Sequence, residues 1–478
     1  MESPRSRSRD LVVLGGMRTS GQIRAAAGGI ALIALTSLVP DAGATGPVVG
    51  AAILEAVPTA LDSSNQAGWW TPLDELGDDE IIAFNQDVPP TADSPPATEH
   101  HVVVGVRSGG GAWRFGCLPG SAVDGGCARF VDDCGHRQPS VRMDGEGNLH
   151  VFAGMHNSVW GYYRSEVPGD PATLVDRSAE MPDQGGLITY PVTARTPNGD
   201  IYLAARVREV GSPVNGRLYH WDRATHTWSR VAVFASQSYY WVYPDDLEAD
   251  DAGAVHLIWE WSYGGAGAVR HFGSYLRYEP ATGAFTNAQG TPIVMPATTA
   301  SKVVYQPLAQ GETAVGRSSS SAGIQSAKLA IVPGRGTPMI AYRLRPRAGA
   351  RFEVRRARAA GDRWLREVVY AGTYDTFAAL DITHDGEVVR VYYVKKNTRT
   401  TDQAHVAEKG RTGGFSERSI APGRTVERLA VVMDPTGADH LYLADLAEPV
   451  RDPDRPIRSE DPACPGPPGV LYTGILSR

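Results

Sequence analysis

The chain has 478 residues, of which 42% are apolar and 21% are charged, so it can build a sizeable core and is not a largely disordered protein. Its formal net charge of −7 gives no support to a nucleic-acid partner, which would require a basic face. Glycine (53) and proline (34) are abundant and long Ala, Glu, Lys and Leu stretches are missing, which favours an all-β protein rich in turns.

The N-terminus has the pattern of an export signal. Basic residues precede an apolar run from Ala25 to Val39, and Ala42-Gly43-Ala44 suits a cleavage site. The run of 15 residues is short for a membrane span of about 20. We therefore predict a signal peptide over residues 1–44 and a secreted or periplasmic protein. Met17 is an alternative start, and an uncleaved anchor is the alternative interpretation.

Four cysteines follow the predicted signal peptide. Cys117, Cys127 and Cys134 lie close together, and Cys464 lies near the C-terminus. An exported protein retains disulfides, so we expect one local bridge and one that ties Cys464 to the 117–134 segment. The sequence does not choose among the three possible pairings.

One pattern recurs six times along the chain: an apolar strand, a turn that ends in glycine, and a second strand rich in β-branched and aromatic residues. The spacings between the repeat glycines are 52, 54, 83, 50 and 51 residues. We assign the long spacing to an insertion in the Ser-rich stretch Gly316–Ser326. The glycines are Gly147, Gly199, Gly253, Gly336, Gly386 and Gly437.

Periods near 50 residues are typical of propeller blades. We predict an all-β, seven-bladed β-propeller, with a pair of β-sandwiches as the alternative. The seventh blade would combine His101–Gly116 with the C-terminal strand GVLYTGILS and close the ring. The predicted organisation is a leading segment with the first strands over 45–98, followed by the propeller domain over 99–478.

Polar side chains stand at matching places in two neighbouring repeats. His136 leads the first strand of one repeat and His156 trails its second strand. Tyr190 and Arg206 occupy the same two places in the next repeat. These positions lie at one end of a hairpin, so we predict that the four side chains meet at one rim of the propeller.

Further candidates surround this group. Tyr243 repeats the leading position in the following blade, and we interpret it, with His271 and Asn157, as substrate-binding. Three other histidines each follow a repeat glycine by three residues within a strand pattern, and we interpret them as structural. They are His150, His256 and His440.

The four central residues suit the elimination chemistry of a uronic acid polymer. A planar guanidinium pairs with a carboxylate and so stabilises the enolate that develops when the C5 proton leaves. Neutral histidine, with an ordinary pKa of about 6.5, is a suitable base. A tyrosine beside an arginine can donate or accept a proton. We therefore hypothesise a polysaccharide lyase that acts by β-elimination on an acidic polysaccharide.

The run GHRQPSVRMDGEGNLHVFAGMHNSVWGYYRS, with the later TYPV, DIYLAAR and VYPDDL, resembles the BNR-4 repeat family, which includes propeller-shaped ulvan lyases of polysaccharide lyase families 24 and 25. The resemblance covers roughly residues 130–295. In those lyases two histidines about twenty residues apart, and a tyrosine followed sixteen residues later by an arginine, form the site. His136 and His156, and Tyr190 and Arg206, have these spacings.

The resemblance implies roles for these residues. His136 and Tyr190 would serve as base and acid, in an order that depends on the uronate epimer. Arg206 would hold the carboxylate, with His156 as a second candidate for that role, and Tyr243 would line the sugar subsite. An ulvan-like substrate is implied, and no cofactor is required. The resemblance leaves open whether a structural calcium or zinc ion is bound, and we assign no ligand cluster to it.

Two other functions remain open from the sequence. A glycoside hydrolase on the same propeller, for instance one that removes rhamnose next to glucuronate, would keep a histidine. Hydrolases more often display paired acids, for which Asp245–Asp246 and Glu260 are the nearest candidates. A non-catalytic carbohydrate-binding propeller would depend on aromatic residues such as Trp160, Trp241 and Trp261. We expect a monomer without a membrane partner after signal cleavage.

Overall fold

Each of the six repeats forms a β-hairpin whose turn requires glycine. All six repeat glycines have positive φ, between 59° and 95°, a region that is unfavourable for residues with a Cβ atom. The strands around Gly147, for example, pair antiparallel with Val141 opposite Val151. The periodic glycines therefore mark the hairpin turns.

The computed structural model describes ten ranges of the chain. Within these ranges, no helix is long and apolar enough to span a membrane. The predicted signal peptide, Cys134 and Cys464 lie outside the described residues. The ranges are 52–65, 69–88, 99–120, 126–133, 136–264, 271–313, 322–373, 379–396, 402–446 and 468–476.

Within these ranges the strands form seven small sheets, and the only helices are two 3-10 turns, at Pro171–Thr173 and Ser178–Glu180. After β1 (Ile53–Ala56), blade 1 contains β2 (Leu73–Leu76), β3 (Asp79–Asp87), β4 (Glu99–Ser108), β5 (Arg114–Cys117) and β6 (Arg129–Val131). Next come β7 (Ser140–Met143), β8 (Leu149–Phe152), β9 (His156–Ser158), β10 (Tyr162–Ser165) and β11 (Leu174–Asp176). Strand β9 pairs with blade 3, and the other four form blade 2.

The remaining strands complete five more blades. Blade 3 adds β12 (Leu187–Arg195), β13 (Ile201–Arg208), β14 (Asn215–Asp222) and β15 (Thr227–Ala235), and blade 4 has β16 (Tyr240–Ala249), β17 (Val255–Tyr263), β18 (His271–Glu279), β19 (Ala284–Thr286) and β20 (Val304–Gln306). Blade 5 has β21 (Gly323–Val332), β22 (Thr337–Arg345), β23 (Phe352–Ala360) and β24 (Arg363–Thr373). Blade 6 has β25 (Leu380–His384), β26 (Val389–Lys396), β27 (Asp402–Lys409) and β28 (Ser416–Ser419), and blade 7 has β29 (Arg428–Met433), β30 (Asp439–Asp445), β31 (Val470–Leu476) and β1.

The seven sheets close into a ring. The first strands of neighbouring blades contact one another in the order β2, β7, β12, β16, β21, β25 and β29, and β29 contacts β2. These strands line a central channel. The predicted all-β, seven-bladed propeller is confirmed.

The composition predicted for the seventh blade is wrong. His101–Gly116 lies in β4 and β5 of blade 1, beside the hairpin of β2 and β3. The C-terminal strand β31 pairs instead with β30 and with β1, with Ile53 opposite Ile475. The error arose because β1 and β2 have only four residues each, too few to display the repeat pattern.

The local disulfide joins Cys117 to Cys127, which confirms that part of the cysteine prediction. The long spacing before Gly336 contains the added strand β20 of blade 4. The predicted insertion at Gly316–Ser326 falls largely outside the described residues, and its last four residues belong to β21.

The histidines interpreted as structural are hydrogen-bonded to aspartates in the hairpin turns. His150 is fully buried, with Nε2 3.2 Å from Asp144 Oδ2 and Nδ1 2.9 Å from the Tyr162 hydroxyl. His256 makes the same pair of contacts, with Asp250 and Tyr275. The turn carboxylate thereby orients a buried imidazole in each of these blades.

The two ends of the channel differ. The hairpin turns surround a cavity of about 830 Å³ at one end, lined by residues such as Gly199, Asp250 and Gly437. The first strands begin at the opposite end, where Tyr190 and Tyr243 lie early in β12 and β16. This cavity therefore lies at the other end of the channel from the predicted site.

The pairing of β1 with β31 should control the stability of the ring. A Cβ atom added at Gly474 would lie 2.3 Å from the carbonyl oxygen of Ile53. We expect Gly474→Ala to destabilise the fold by about 1–3 kcal/mol, the usual cost of overpacking, and to lower Tm in a thermal melt. Ile475→Val, at a 41% exposed position of the same strand, is the control. Equal Tm values for the two variants would contradict this account of ring closure.

Candidate active site

Two histidines share one carboxylate at the end of the channel where the first strands begin. His136 Nδ1 lies 3.0 Å from Asp133 Oδ1, and His156 Nδ1 lies 2.5 Å from Asp133 Oδ2. The imidazole rings stack with centroids 3.9 Å apart and planes 3° apart. An ionised carboxylate only accepts hydrogen bonds, so both Nδ1 atoms donate. In neutral imidazoles this leaves both Nε2 atoms as acceptors that point away from Asp133.

Three chain segments bring together Asp133, His136 and His156, which we call the trio. Asp133 follows strand β6, and His136 precedes β7. The backbone N–H of His136 donates to the carbonyl of Asp133 at 3.1 Å, which holds these two residues close together. His156 begins β9, which pairs with blade 3 opposite Thr189. The sequence analysis missed Asp133, although its place three residues before His136 was a usable signal.

Tyr190 lies beside the histidines in an unusual backbone conformation. Its φ is 57°, in the left-handed region that is unfavourable for a bulky residue. The β12–β13 register shifts between Thr189 and Val192, so Tyr190 lies in a β-bulge. A bulge re-aims a side chain, and here the Tyr190 ring lies 6.0 Å from the His136 ring.

Arg206 lies under this group, 2% exposed. Its Cζ is 4.7 Å from the centre of the Tyr190 ring and 4.9 Å from that of Tyr243. One Nη2–H donates to Asn157 Oδ1 at 3.4 Å. The backbone partner of Arg206 across the sheet is Thr189, next to the bulge. Aromatic faces stabilise the cation, and its planar fork suits a carboxylate.

An aromatic floor that the sequence analysis did not predict supports Tyr190. Trp69 and Trp70 lie 5.8 and 5.6 Å from the Tyr190 ring, between centroids. Both tryptophans are almost fully buried, and Tyr243 belongs to the same cluster. Trp241 also borders it, with its ring 5.3 Å from Arg206 Cζ. These rings exclude water beneath the polar groups.

The structure brings together His136, His156, Asn157, Tyr190, Arg206 and Tyr243 but places His271 elsewhere. His271 is 1% exposed, and its Nδ1 lies 2.5 Å from Glu312 Oε1. Glu312 is itself held by a hydrogen bond from the backbone N–H of Ala309. His271 thus belongs to a buried hydrogen-bonded pair with Glu312, near Tyr240.

Of the residues named for the alternative functions, all but Trp241 are buried. Asp245 and Glu260 are fully buried, and Asp246 accepts a hydrogen bond from the backbone N–H of Leu329 at 2.9 Å. Among the tryptophans suggested for sugar binding, Trp160 and Trp261 are core residues. By contrast, the side chains of His136 and His156 are 17% and 23% exposed.

The charges of the trio follow from its partial burial. Burial lowers the pKa of His136, and the nearby positive charges of His156 and Arg206 lower it further, while Asp133 opposes the shift. Burial would raise the pKa of Asp133, but hydrogen bonds from both histidines outweigh it and the net pKa falls. At neutral pH the site therefore holds an ionised carboxylate and a neutral His136.

The same trio has the composition of a metal site, since its ligand atoms lie within 4.8 Å of one another. Its geometry does not fit one well. With centroids 3.9 Å apart and ring planes 3° apart, the lone pairs of the two imidazoles lie in two separate parallel planes and do not converge on one ion. The arrangement fits better with two histidines that Asp133 holds by hydrogen bonds for acid–base chemistry.

We expect His136 to titrate below its ordinary value of 6.5 because burial disfavours the imidazolium. Arg206→Gln removes a positive charge that lowers this pKa, so the pKa should rise while remaining below 6.5. NMR titration of the imidazole signals measures both effects. Arg208→Gln, at the exposed end of the same strand, is the matched control. An unchanged His136 pKa in Arg206→Gln would contradict this electrostatic account.

Comparisons with known proteins agree with this fold. The model of the BNR repeat-containing family matches residues 83–371, more than half of the chain. The crystal structure of the polysaccharide lyase Uly1 matches with a TM-score of 0.60 and 12% identity, over 86% of this chain and 91% of that one. A PL25 ulvan lyase bound to -[GlcA(1-4)Rha3S]- matches with a TM-score of 0.56 and 16% identity, over 82% and 93%. A search of curated proteins found no match.

Proposed function

The chain belongs to the BNR repeat-containing family, and from that premise and the site geometry we propose that it is a polysaccharide lyase that cleaves a uronic-acid-containing, ulvan-like polymer by β-elimination. The observation that carries the proposal is the accessible histidine pair on Asp133, with a neutral His136, next to Tyr190 and a guanidinium. The likeness to lyases of known structure supports it at the level of the fold.

The proposed reaction uses each group once. His136 Nε2 takes the proton from C5 of the uronate, and the C5–H electron pair forms the C4–C5 double bond. The bond from C4 to the glycosidic oxygen breaks, and Tyr190 donates a proton to that oxygen. Arg206 pairs with the carboxylate, which lowers the energy of the enolate-like transition state. For the opposite C5 epimer, Tyr190 and His136 exchange their roles.

The remaining groups position substrate and base. Asp133 fixes the tautomer of both histidines and stabilises the imidazolium that forms during proton transfer. Asn157 orients the Arg206 guanidinium, and Tyr243 borders the uronate subsite from the neighbouring blade. For His156 to be the second contact for the substrate carboxylate, its Nε2 must carry a proton, because its Nδ1–H already donates to Asp133.

The proposed place of action is outside the cytoplasm. The Cys117–Cys127 disulfide is of a kind that persists in oxidising compartments. The predicted signal peptide over 1–44 would direct the chain there, and the protein would meet a polymeric substrate in that environment.

Ultraviolet absorbance of the unsaturated uronate product tests the activity. We expect it to rise when the mature protein meets a panel of uronate polysaccharides. His136→Ala should reduce kcat/KM by about 10²–10⁴-fold and Arg206→Ala by about 10²–10³-fold, because they remove the base and the carboxylate partner. His226→Ala, with a 53% exposed side chain, and Arg208→Ala are the matched controls. Saturated products, or binding without turnover, would overturn the lyase assignment.

The role of Asp133 has its own test. We expect Asp133→Asn to lower kcat by about 10²–10⁴-fold, since an amide cannot accept from both Nδ1 atoms and the histidine tautomers are lost. The Asp133 hydrogen bond raises the pKa of His136, so the acid limb of the pH–rate profile should also move to lower pH. A lower rate with an unmoved acid limb would indicate only a structural role, and Tm serves as the folding control.

A further inference from the structure

A second group of metal-ligating side chains lies beside the candidate active site. Asp62, His100 and Asp132 each offer one ligand atom, and these atoms lie within 4.8 Å of one another. The three residues are 5%, 0% and 5% exposed. We propose that they bind one divalent transition-metal ion, for which zinc has the best-matched chemistry. This site stands independently of the proposed lyase activity.

Two atoms of the group lack the partners that buried polar atoms normally have. His100 Nδ1 lies 2.8 Å from Asp132 Oδ1. Within the described part of the chain, His100 Nε2 and Asp132 Oδ2 are buried and have no hydrogen-bond partner. Their side chains are 0% and 1% exposed. Buried polar atoms of this kind are rare without a ligand to complete them.

The charges around the group also favour a cation. Asp62 and Asp132 place two carboxylates, each 5% exposed, beside the fully buried imidazole of His100, whose Nδ1 lies 2.8 Å from Asp132 Oδ1. A bound divalent cation would neutralise the excess negative charge.

The donor set distinguishes between metals. One imidazole and two carboxylates give the mixed nitrogen and oxygen ligands that zinc takes, with a fourth position left for water or a backbone group. Calcium prefers six to eight oxygen ligands and is poorly served by an imidazole. We therefore expect zinc to bind in preference to calcium.

Local hydrogen bonds hold one ligand in advance. Asp62 Oδ1 accepts from the backbone N–H of Ser64 at 2.7 Å. The Asn65 side chain donates to the carbonyl of Asn85 at 2.6 Å and accepts from its N–H at 2.9 Å. The loop that carries Asp62 is thus fixed against strand β3 before any ion binds. Preorganisation of this kind favours tight metal binding.

The ion would brace the segment that carries the active-site carboxylate. Its ligands come from three separate places: the loop after β1, strand β4, and the end of β6. Asp132 immediately precedes Asp133, so fixing the former limits movement of the latter. The Asn85 side chain also donates to the carbonyl of Arg137, next to His136, at 3.4 Å.

Elemental analysis of the purified mature protein tests the site. We expect about one zinc per chain in the wild type, and binding at least about tenfold weaker in Asp62→Asn, which removes a ligand but keeps its shape. Asp133→Asn is the matched control, since it disrupts the other His and Asp group and should retain the metal. Loss of the metal in Asp133→Asn, with retention in Asp62→Asn, would overturn the proposal.

A thermal melt of the wild type covers the case in which Asp62→Asn does not fold. Chelator-treated wild type should melt at a lower temperature, and zinc but not calcium should restore Tm. The rival account is a carboxyl–imidazole–carboxyl group that shares a proton. It predicts no effect of chelator or zinc on Tm and a Tm for Asp62→Asn that is unchanged or raised, and that outcome would also overturn the proposal.

Discussion

A four-stranded sheet buries both of its faces only when another sheet packs against each of them, and the structure of this chain follows from that constraint. The apolar clusters lie between blades. One cluster joins Leu73 and Phe84 of blade 1 to Tyr442 and Leu471 of blade 7. A row of seven sheets would leave two apolar faces in water, whereas a ring leaves none. The pairing of β1 with β31 makes the last blade a composite of both ends of the described chain.

Closure of the ring also creates the candidate site. The first strands converge on the channel, so side chains that lead them from different blades come within contact distance of each other. Blade 3 supplies Tyr190 and Arg206, and the segment before blade 2 supplies His136. The register shifts in β12, β16 and β21 all fall early in these strands. Such bulges aim side chains into the channel end at the cost of regular pairing.

Accessibility distinguishes the histidines from the other candidate groups. Asp245, Asp246 and Glu260 are buried, as are Tyr190 and Arg206. The histidine pair remains accessible above the aromatic floor, where a low local dielectric strengthens each charged interaction. The neutral state of His136 and the ionised state of Asp133 both arise from this mixture of partial burial and direct hydrogen bonding. The neighbouring Asp62, His100 and Asp132 are more deeply buried, and the proposed cation would compensate the charge of their carboxylates.

Local pattern by itself determined the all-β class and the six hairpins, and their period predicted a seven-bladed propeller. A positive-φ turn needs glycine, and a strand needs alternating or apolar side chains. Both features therefore recur in the sequence at the period of the blades. It also determined His136, His156, Tyr190 and Arg206 as candidates, because the two ends of a hairpin are close by local geometry. Only the tertiary structure placed Asp133 and Trp69 at the site, gave β1 to the last blade and put His271 in a separate buried pair. Those placements depend on contacts between segments far apart in the chain, which leave no periodic signal in the sequence.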